Sequence, residues 1–447
     1  MGYAYLAYAN QDAERVRAFG DALAAHEITV RADGHPDRIG PTIGPETEAA
    51  IQASYAVVVF ISDATVENAH VRREFDYALK LAKPVFPVVL GDADLDAWWH
   101  ERLFNLVRID VDQPDDDAAA VERLATGLRR FFDKLCPVIA LMNMKGGVGK
   151  TTVASQVFAA LQRARKNRVL LIDLDPQHNL SQLFFRRSTQ DTLVYMDASV
   201  ISLFEPGAMQ EQPSPAENWH LVNTVTADPP RPEEIARRLI PDDKSGGGRF
   251  DLVCGQFDIA KYAFIDHRSW TDRALANFVA AIDQLRAHYD LIVLDTNPSA
   301  SFLTTATFAV ATRILAPVRP DRFSVRGVRL LNDLMTRLIK TPGRPPISII
   351  FNGVERAVES DIETAMRSGA LDPQIGFAAS QAVLKGRLHN SRFLAVREDG
   401  MEDDPVNHLA VYRAGGIWGA PLKDSLYGLA DQIADALGLE RKKKAKP

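Results

Sequence analysis

Residues 145–152 read Lys-Gly-Gly-Val-Gly-Lys-Thr-Thr. Gly146, Gly147, Val148 and Gly149 can close backbone N–H groups around phosphate oxygens. The helix that follows turns its positive end toward the same point. Lys150 is placed to reach the outer phosphates, and the Thr151 hydroxyl to ligate Mg²⁺, with Thr152 beside it. The general phosphate-loop pattern has glycine where Met144 stands and asks for no lysine at the loop's start. Lys145 is therefore a second cation at the phosphates. The chemistry implied is phosphoryl transfer from a Mg²⁺-bound nucleotide, which depends on positioning and charge neutralisation.

A loop of this kind needs a buried strand before it and a helix after it. Val138 to Asn143 is a short apolar run of the parallel-strand type, and Thr151 to Arg165 is compatible with helix. Earlier in the chain, strand signals at Tyr3–Tyr8, Ile28–Arg31, Ala56–Ile61 and Val85–Leu90 alternate with helical stretches. The helix Ala13–His26 has Asp12 as its candidate cap. This alternation predicts a small doubly wound parallel sheet, whose ligands bind outside the carboxyl ends of its strands. The fold class expected is α/β, with two doubly wound parallel-sheet domains. The first spans 1–133 and the second 137–440, with a Pro- and Gly-rich mobile insert at about 205–248 and a basic tail at 441–447.

The 447 residues carry a net charge of −6, with 46% hydrophobic and 25% charged residues. That balance gives no global attraction to nucleic acid, so DNA binding would need a local patch. The two cysteines, Cys136 and Cys254, form neither a disulfide framework nor a zinc site. With no long apolar run and no secretory signal, a cytoplasmic protein is expected. The tail Arg441-Lys-Lys-Lys-Ala-Lys-Pro447 could touch DNA or anionic lipid, or simply aid solubility. Its basic residues follow the helix of Leu426, Leu429, Ile433 and Leu437 instead of lying along one face, so membrane binding is not expected.

The two-lysine loop resembles that of the deviant Walker A ATPases of the ParA/MinD type, which partition plasmids and chromosomes and position division sites. The resemblance covers roughly 137–440. It implies ATP and Mg²⁺ as ligands, with Asp175 in Asp173-Leu-Asp-Pro-Gln177 orienting the attacking water. Asp173 would sit close to the metal, and Asp295, ending Leu291–Asp295, would face Mg²⁺ through water. Asn352 would read adenine, and Lys145 would reach the partner's nucleotide across a two-fold axis in a homodimer. Higher-order assembly and a DNA track follow from the same resemblance. The family commonly has two prolines after the Walker B aspartate. Here the run is Thr296-Asn297-Pro298-Ser299, which bears on hydrolysis rate more than on binding.

The N-terminal third resembles a Toll/interleukin-1 receptor (TIR) domain of flavodoxin-like fold. The similarity lies in Tyr5-Leu-Ala-Tyr8 with Asp12, the loop Asp33–Pro45, Val57–Ser62 and His70-Val-Arg-Arg-Glu74. NAD⁺-cleaving members carry a catalytic glutamate that corresponds to Glu74, which would make NAD⁺ the substrate, with Tyr8 and His70 as contacts. His70 stands where such domains often have Trp, and Ala7 where they often have Ser. Glu74 is expected at the flank of the stripe Val71, Phe75, Ala78, Leu79 and Ala82. It reads either as the carboxylate that stabilises an oxocarbenium-like charge or as a surface glutamate pairing with Arg73 or near Lys80. Three functions follow: an ATP-gated NAD⁺-destroying antiviral effector, a positioning ATPase with a TIR adaptor, and a signalling scaffold.

Overall fold

The computed structural model describes residues 3–32, 43–81, 83–104, 106–132, 136–206, 228–265, 268–339, 344–354, 383–389, 405–414 and 416–439, with 364, 391 and 394 singly. The chain forms two units. The first is Met1–Leu135 with Asn332–Ser348 and Ala365–Val383; the second is the remainder.

The first unit holds a five-stranded sheet of order β2-β1-β3-β4-β5. The strands are β1 (Ala4–Ala7), β2 (Val30–Ala32), β3 (Ala56–Ile61), β4 (Val85–Leu90) and β5 (Ile109–Val111). Every pair is parallel. Side chains alternate across β1. Leu6 joins Phe19, Leu23, Phe60 and Leu124 in one core, and Tyr5 joins Ile51, Val71, Phe75 and Trp99 in the other. The chain reverses its strand order between β1 and β3, so their carboxyl ends border the crevice where such sheets take ligands. Asp12 lies there. Its side chain does not cap the helix Ala13–Ala25 as the sequence suggests. It accepts instead from Ser62 Oγ at 2.6 Å and Thr65 Oγ1 at 3.3 Å.

The other sheet has eight strands in the order β13-β12-β11-β6-β10-β7-β9-β8, and all of it but Ile347, Ser348 and Val383 belongs to the second unit. Its strands are β6 (Val138–Leu141), β7 (Arg168–Leu174), β8 (Ala236–Arg238), β9 (Arg249–Val253), β10 (Leu291–Thr296), β11 (Arg313–Val318), β12 (Ile347–Val354) and β13 (Val383–His389). The centre is parallel: β10 pairs with β6 and β7, β11 with β6, and β7 with β9. All-apolar runs such as Val138–Leu141 suit strands covered on both faces. The helix Gly416–Ala436 packs Leu426, Leu429 and Ile433 into the core with Val153 and Val157, and Gly438 (φ +67°) follows it. Residues 441–447, the basic tail, lie outside the described residues.

The expectation of a mobile excursion over 205–248 is corrected only at its flanks. Residues 207–227 lie outside the described residues, but the flanks are packed. Glu205 is buried, with Oε1 2.6 Å from Lys261 Nζ and accepting from Tyr262 OH at 2.5 Å. On the other side Ile235, Leu239 and Ile240 are fully buried, and β8 runs antiparallel to β9. Proline content signalled loop, but three large aliphatic residues at the edge of a sheet favour burial over exposure. The sheet is therefore not wholly parallel.

Candidate functional sites

The phosphate loop leaves β6 and enters a helix composed of Lys150–Thr152, a π-helical turn Val153–Val157 and Phe158–Arg165. Gly147 at φ +72° and Gly149 at φ +92° occupy the left-handed region that glycine tolerates. Gly149 carries a second demand, since a Cβ there would sit 2.0 Å from Asn352 Nδ2.

Strand register brings the carboxylates together. Asp295 on β10 lies directly beside Asp173 on β7. Thr151 Oγ1 donates to Asp295 Oδ2 at 2.7 Å. Asp295 Oδ1 is buried and has no hydrogen-bond partner among the described residues. An orphaned buried carboxylate oxygen beside a threonine hydroxyl fits a divalent cation of Mg²⁺ type, which takes one or two protein ligands and completes its shell with water and phosphate. Burial pushes Asp295 up from the usual carboxylate range, and Asp175 adds to this, against the opposing pull of the Thr151 hydrogen bond and Lys150. Lys150 is 8% exposed. Burial lowers its pKa, and Asp295 and Asp175 partly restore it.

Asp173 is fully buried, and its oxygens are taken up locally. Oδ2 accepts from Ser181 N at 2.8 Å and from Ser181 Oγ at 2.7 Å, and Oδ1 accepts from Asp175 N at 3.3 Å. Asp173 thus fastens the loop that carries Asp175. Burial followed by the Asp295 charge raises its pKa. Asp175 is half-buried, and its Oδ1 accepts from Gln177 N at 2.9 Å. Next in the loop, His178 adopts φ +42°, with Nδ1 3.0 Å from Gln190 Oε1. Asn352, 7% exposed, donates from Nδ2 to Val148 O at 2.7 Å, so its amide is tied to the loop itself. Lys145 is exposed, its Nζ 5.9 Å from the centre of the Phe323 ring. Thr152 follows in the first helical turn, half-buried, and Asn297 is half-buried just past β10.

In the first unit Glu74 is not a surface residue. It is 3% exposed on the helix Ala69–Lys80 and sits within the buried face of Val71, Phe75 and Ala78. Tyr5 OH donates to Glu74 Oε1 at 2.9 Å, and His70 Nε2 lies 3.1 Å from the same oxygen. The surface pairing with Arg73 is overturned, because Glu74 is one turn from Val71 and from Ala78 and a tyrosine from β1 meets it there. Tyr8 does not join this group. It packs against the opposite core with Leu6 and Phe19. Alternation along β1 was the available signal: residues 5 and 7 share one face, 6 and 8 the other. Sequence reasoning had missed Tyr5, as well as Ser181 and the Asp12–Ser62–Thr65 cluster.

Residues 5–125 match a family described as TIR domain, and residues 136–349 a family described as AAA domain. A putative replication protein A of Rhizobium rhizogenes is 27% identical over 226 residues, covering 49% of this chain and 50% of that protein. The chromosome-partitioning ATPase Soj of Thermus thermophilus is 30% identical over 190 residues, covering 42% of this chain and 57% of its own. The solved structure of pNOB8 ParA is similar over 68% of this chain and 99% of its own, at 17% identity and a TM-score of 0.49. This chain therefore spans about half the length of the curated relatives it matches.

Proposed function

We propose that this chain, which joins a TIR domain to a ParA/MinD-like P-loop ATPase domain, is a nucleotide-controlled effector. ATP-dependent assembly of the P-loop half into a homodimer, and from it larger assemblies, gates NAD⁺ glycohydrolysis by the TIR half in bacterial antiviral defence. The observation that carries this reading is the Glu74 carboxylate, withdrawn from water, hydrogen-bonded by Tyr5 and with His70 Nε2 3.1 Å away. Burying a carboxylate costs stability unless it is partnered, and such a charge in a low-dielectric site acts strongly on a nearby positive centre. In the cleavage, the bond between ribose and the nicotinamide nitrogen breaks, and its electron pair leaves with nicotinamide. Glu74 faces the positive charge left on the ribose. Water then adds at that carbon and gives up a proton.

In the P-loop half Lys150 and the loop N–H groups hold the phosphates. Thr151 and Asp295 would hold Mg²⁺, which neutralises β and γ oxygens when bound. Asp173 fixes the loop from which Asp175 orients water. Lys145 serves the partner's nucleotide. Among the described residues no helix is long and apolar enough to cross a membrane, and we place the protein in the cytoplasm.

The test is nicotinamide release from NAD⁺ by the purified full chain, with and without MgATP and DNA, beside Glu74→Gln. Release that depends on Glu74 and rises with MgATP is expected. Release that persists in Glu74→Gln would overturn the catalytic assignment. A second reading, a partition-type ATPase on DNA whose TIR half is a protein adaptor, is supported by the similarity to Soj. That reading predicts no nicotinamide under any condition but MgATP-dependent retention on DNA, lost steeply as salt rises.

A further inference from the structure

Asn143, the residue after Met142 at the end of β6, has no assigned part in the chemistry, yet it is 1% exposed and fully engaged. Its Nδ2 donates to Pro317 O at 2.8 Å and to Ser324 O at 3.1 Å. Its Oδ1 accepts from Lys145 N at 2.9 Å. One amide thus joins three pieces of backbone: the start of the phosphate loop, the end of β11 and the first turn of the helix Arg322–Leu338. The side chain of Lys145 extends to Phe323 in that same turn. The helix makes room for this junction at Gly327, where a Cβ would lie 2.0 Å from Asn143 Oδ1 and 3.0 Å from Lys145 N.

We infer that Asn143 is a positioning residue for Lys145. A lysine that acts beyond its own subunit must leave the loop at a fixed angle. An exposed four-carbon side chain cannot set that angle, because it samples many rotamers. The backbone N–H of Lys145 can, once it is pinned by a buried acceptor whose own amide is held at two further points. Asparagine suits this place because it accepts on one atom and donates twice from the other. A hydroxyl residue would be too short to span all three contacts, and aspartate would set a negative oxygen against two carbonyls. The inference rests on the reading of Lys145 given above and deepens it.

The experiment is a double-mutant cycle of Asn143→Ala and Lys145→Ala in the full chain, with Gly327→Ala as an independent way to displace the Asn143 amide. Two readouts are taken: steady-state MgATP hydrolysis and MgATP-driven self-association. Asn143→Ala should lower kcat on the order of tenfold, the effect of one well-placed hydrogen bond to the loop. KM for MgATP should stay within about threefold, since Lys150 and the loop N–H groups still hold the phosphates. Added to Lys145→Ala, Asn143→Ala should cost nothing more, because both act through one side chain. Gly327→Ala should reproduce the kcat loss in the natural sequence, and most of that effect should vanish when Asn143 is alanine, where only the 3.0 Å approach to Lys145 N is left. A multiplied loss in the Asn143/Lys145 double variant would overturn the inference, as would a loss expressed in KM alone. If the unmodified chain hydrolyses MgATP but does not self-associate, the proposed dimer switch fails. The hydrolysis cycle still decides the role of Asn143.

Discussion

Replacing Glu74 by alanine should destabilise the first unit by about 2 kcal/mol, an effect no exposed helical glutamate would give. Tyr5, 1% exposed, donates its hydroxyl to Glu74 Oε1, and alanine removes that acceptor. Losing a buried partner costs about 1–3 kcal/mol. The higher helix propensity of alanine returns roughly 0.4 kcal/mol. Glutamine keeps a carbonyl oxygen for Tyr5 and fills the same space, so Glu74→Gln should stay within about 1 kcal/mol of the parent. For a unit of this size 1 kcal/mol corresponds to about 3–5 °C in Tm. Thermal unfolding of the full chain should therefore show Glu74→Ala lower by about 6–10 °C and Glu74→Gln shifted by no more than about 3–5 °C. Amide exchange within Ala69–Lys80 assigns the transition to this unit. Both variants should lose nicotinamide release. The comparison separates charge from packing, which alanine alone cannot do. A Glu74→Ala protein as stable as the parent would refute the buried hydrogen bond and restore the surface reading of this residue.

Thr151→Ala removes both the metal ligand and the donor to Asp295, so hydrolysis should fall at least about a hundredfold, and nucleotide affinity should no longer differ between Mg²⁺ and EDTA. Gly149→Ala combines a φ of +92° with a 2.0 Å approach to Asn352 Nδ2, so titration with a fluorescent ATP analogue should show no saturable binding. Asp295→Asn tests the raised carboxyl. Folded Asp295 holds its proton at pH values where the unfolded chain, with an ordinary value of 3.8, has lost it. The folded state then binds more protons, so its stability falls as pH rises from about 4 toward neutrality. Asparagine removes Asp295's share of that slope, while Asp173, raised by its own burial, keeps its share. Denaturant midpoints without nucleotide should rise in Asp295→Asn at pH 7.5 and change little at pH 4.5.

The phosphate loop was legible because its chemistry needs contiguous residues: glycines, lysine and threonine in one run, between an apolar strand and a helix. The strands Ala56–Ile61 and Val85–Leu90 were read to the residue, since unbroken apolar runs bounded by helix signals leave little choice of register. What could not be read are the pairings that close the sites. Tyr5 and Glu74 stand 69 positions apart, and Asn143 and Ser324 stand 181 apart. Only the parallel packing of distant strands and helices brings them together. Tyr5 and Tyr8 share one short run, yet strand alternation puts them on opposite faces, and it is Tyr5 that meets Glu74. The flanks of 205–248 are packed for a related reason. Proline and glycine report backbone preference, whereas Ile235, Leu239 and Ile240 report what the sheet edge will bury, and burial decides the outcome.

The two lysines of the loop differ in a way that separates binding from control. Lys150 is buried, close to Asp295 and Asp175, and its charge is costly there until phosphate arrives. The rest of the site is already set. Thr151 Oγ1 donates a hydrogen bond to Asp295 Oδ2 and keeps lone pairs for a metal, and Asn352 donates one N–H to Val148 O while its carbonyl oxygen can accept from a base. Binding therefore requires little reordering, and nucleotide affinity should rest on Lys150. Lys145 is exposed and contributes nothing to this arrangement except through its backbone N–H. A charge held in water near a phosphate is worth little within one subunit, because the solvent screens it. It becomes valuable when a second subunit excludes that solvent. Lys150→Ala should accordingly weaken MgATP binding at least about a hundredfold, by about 3 kcal/mol or more. Lys145→Ala should leave the monomer's Kd within about threefold yet abolish MgATP-driven self-association in analytical ultracentrifugation. Equal losses of nucleotide affinity in the two variants would show that both lysines serve the same subunit's phosphates, and the nucleotide would then have no direct hold on assembly.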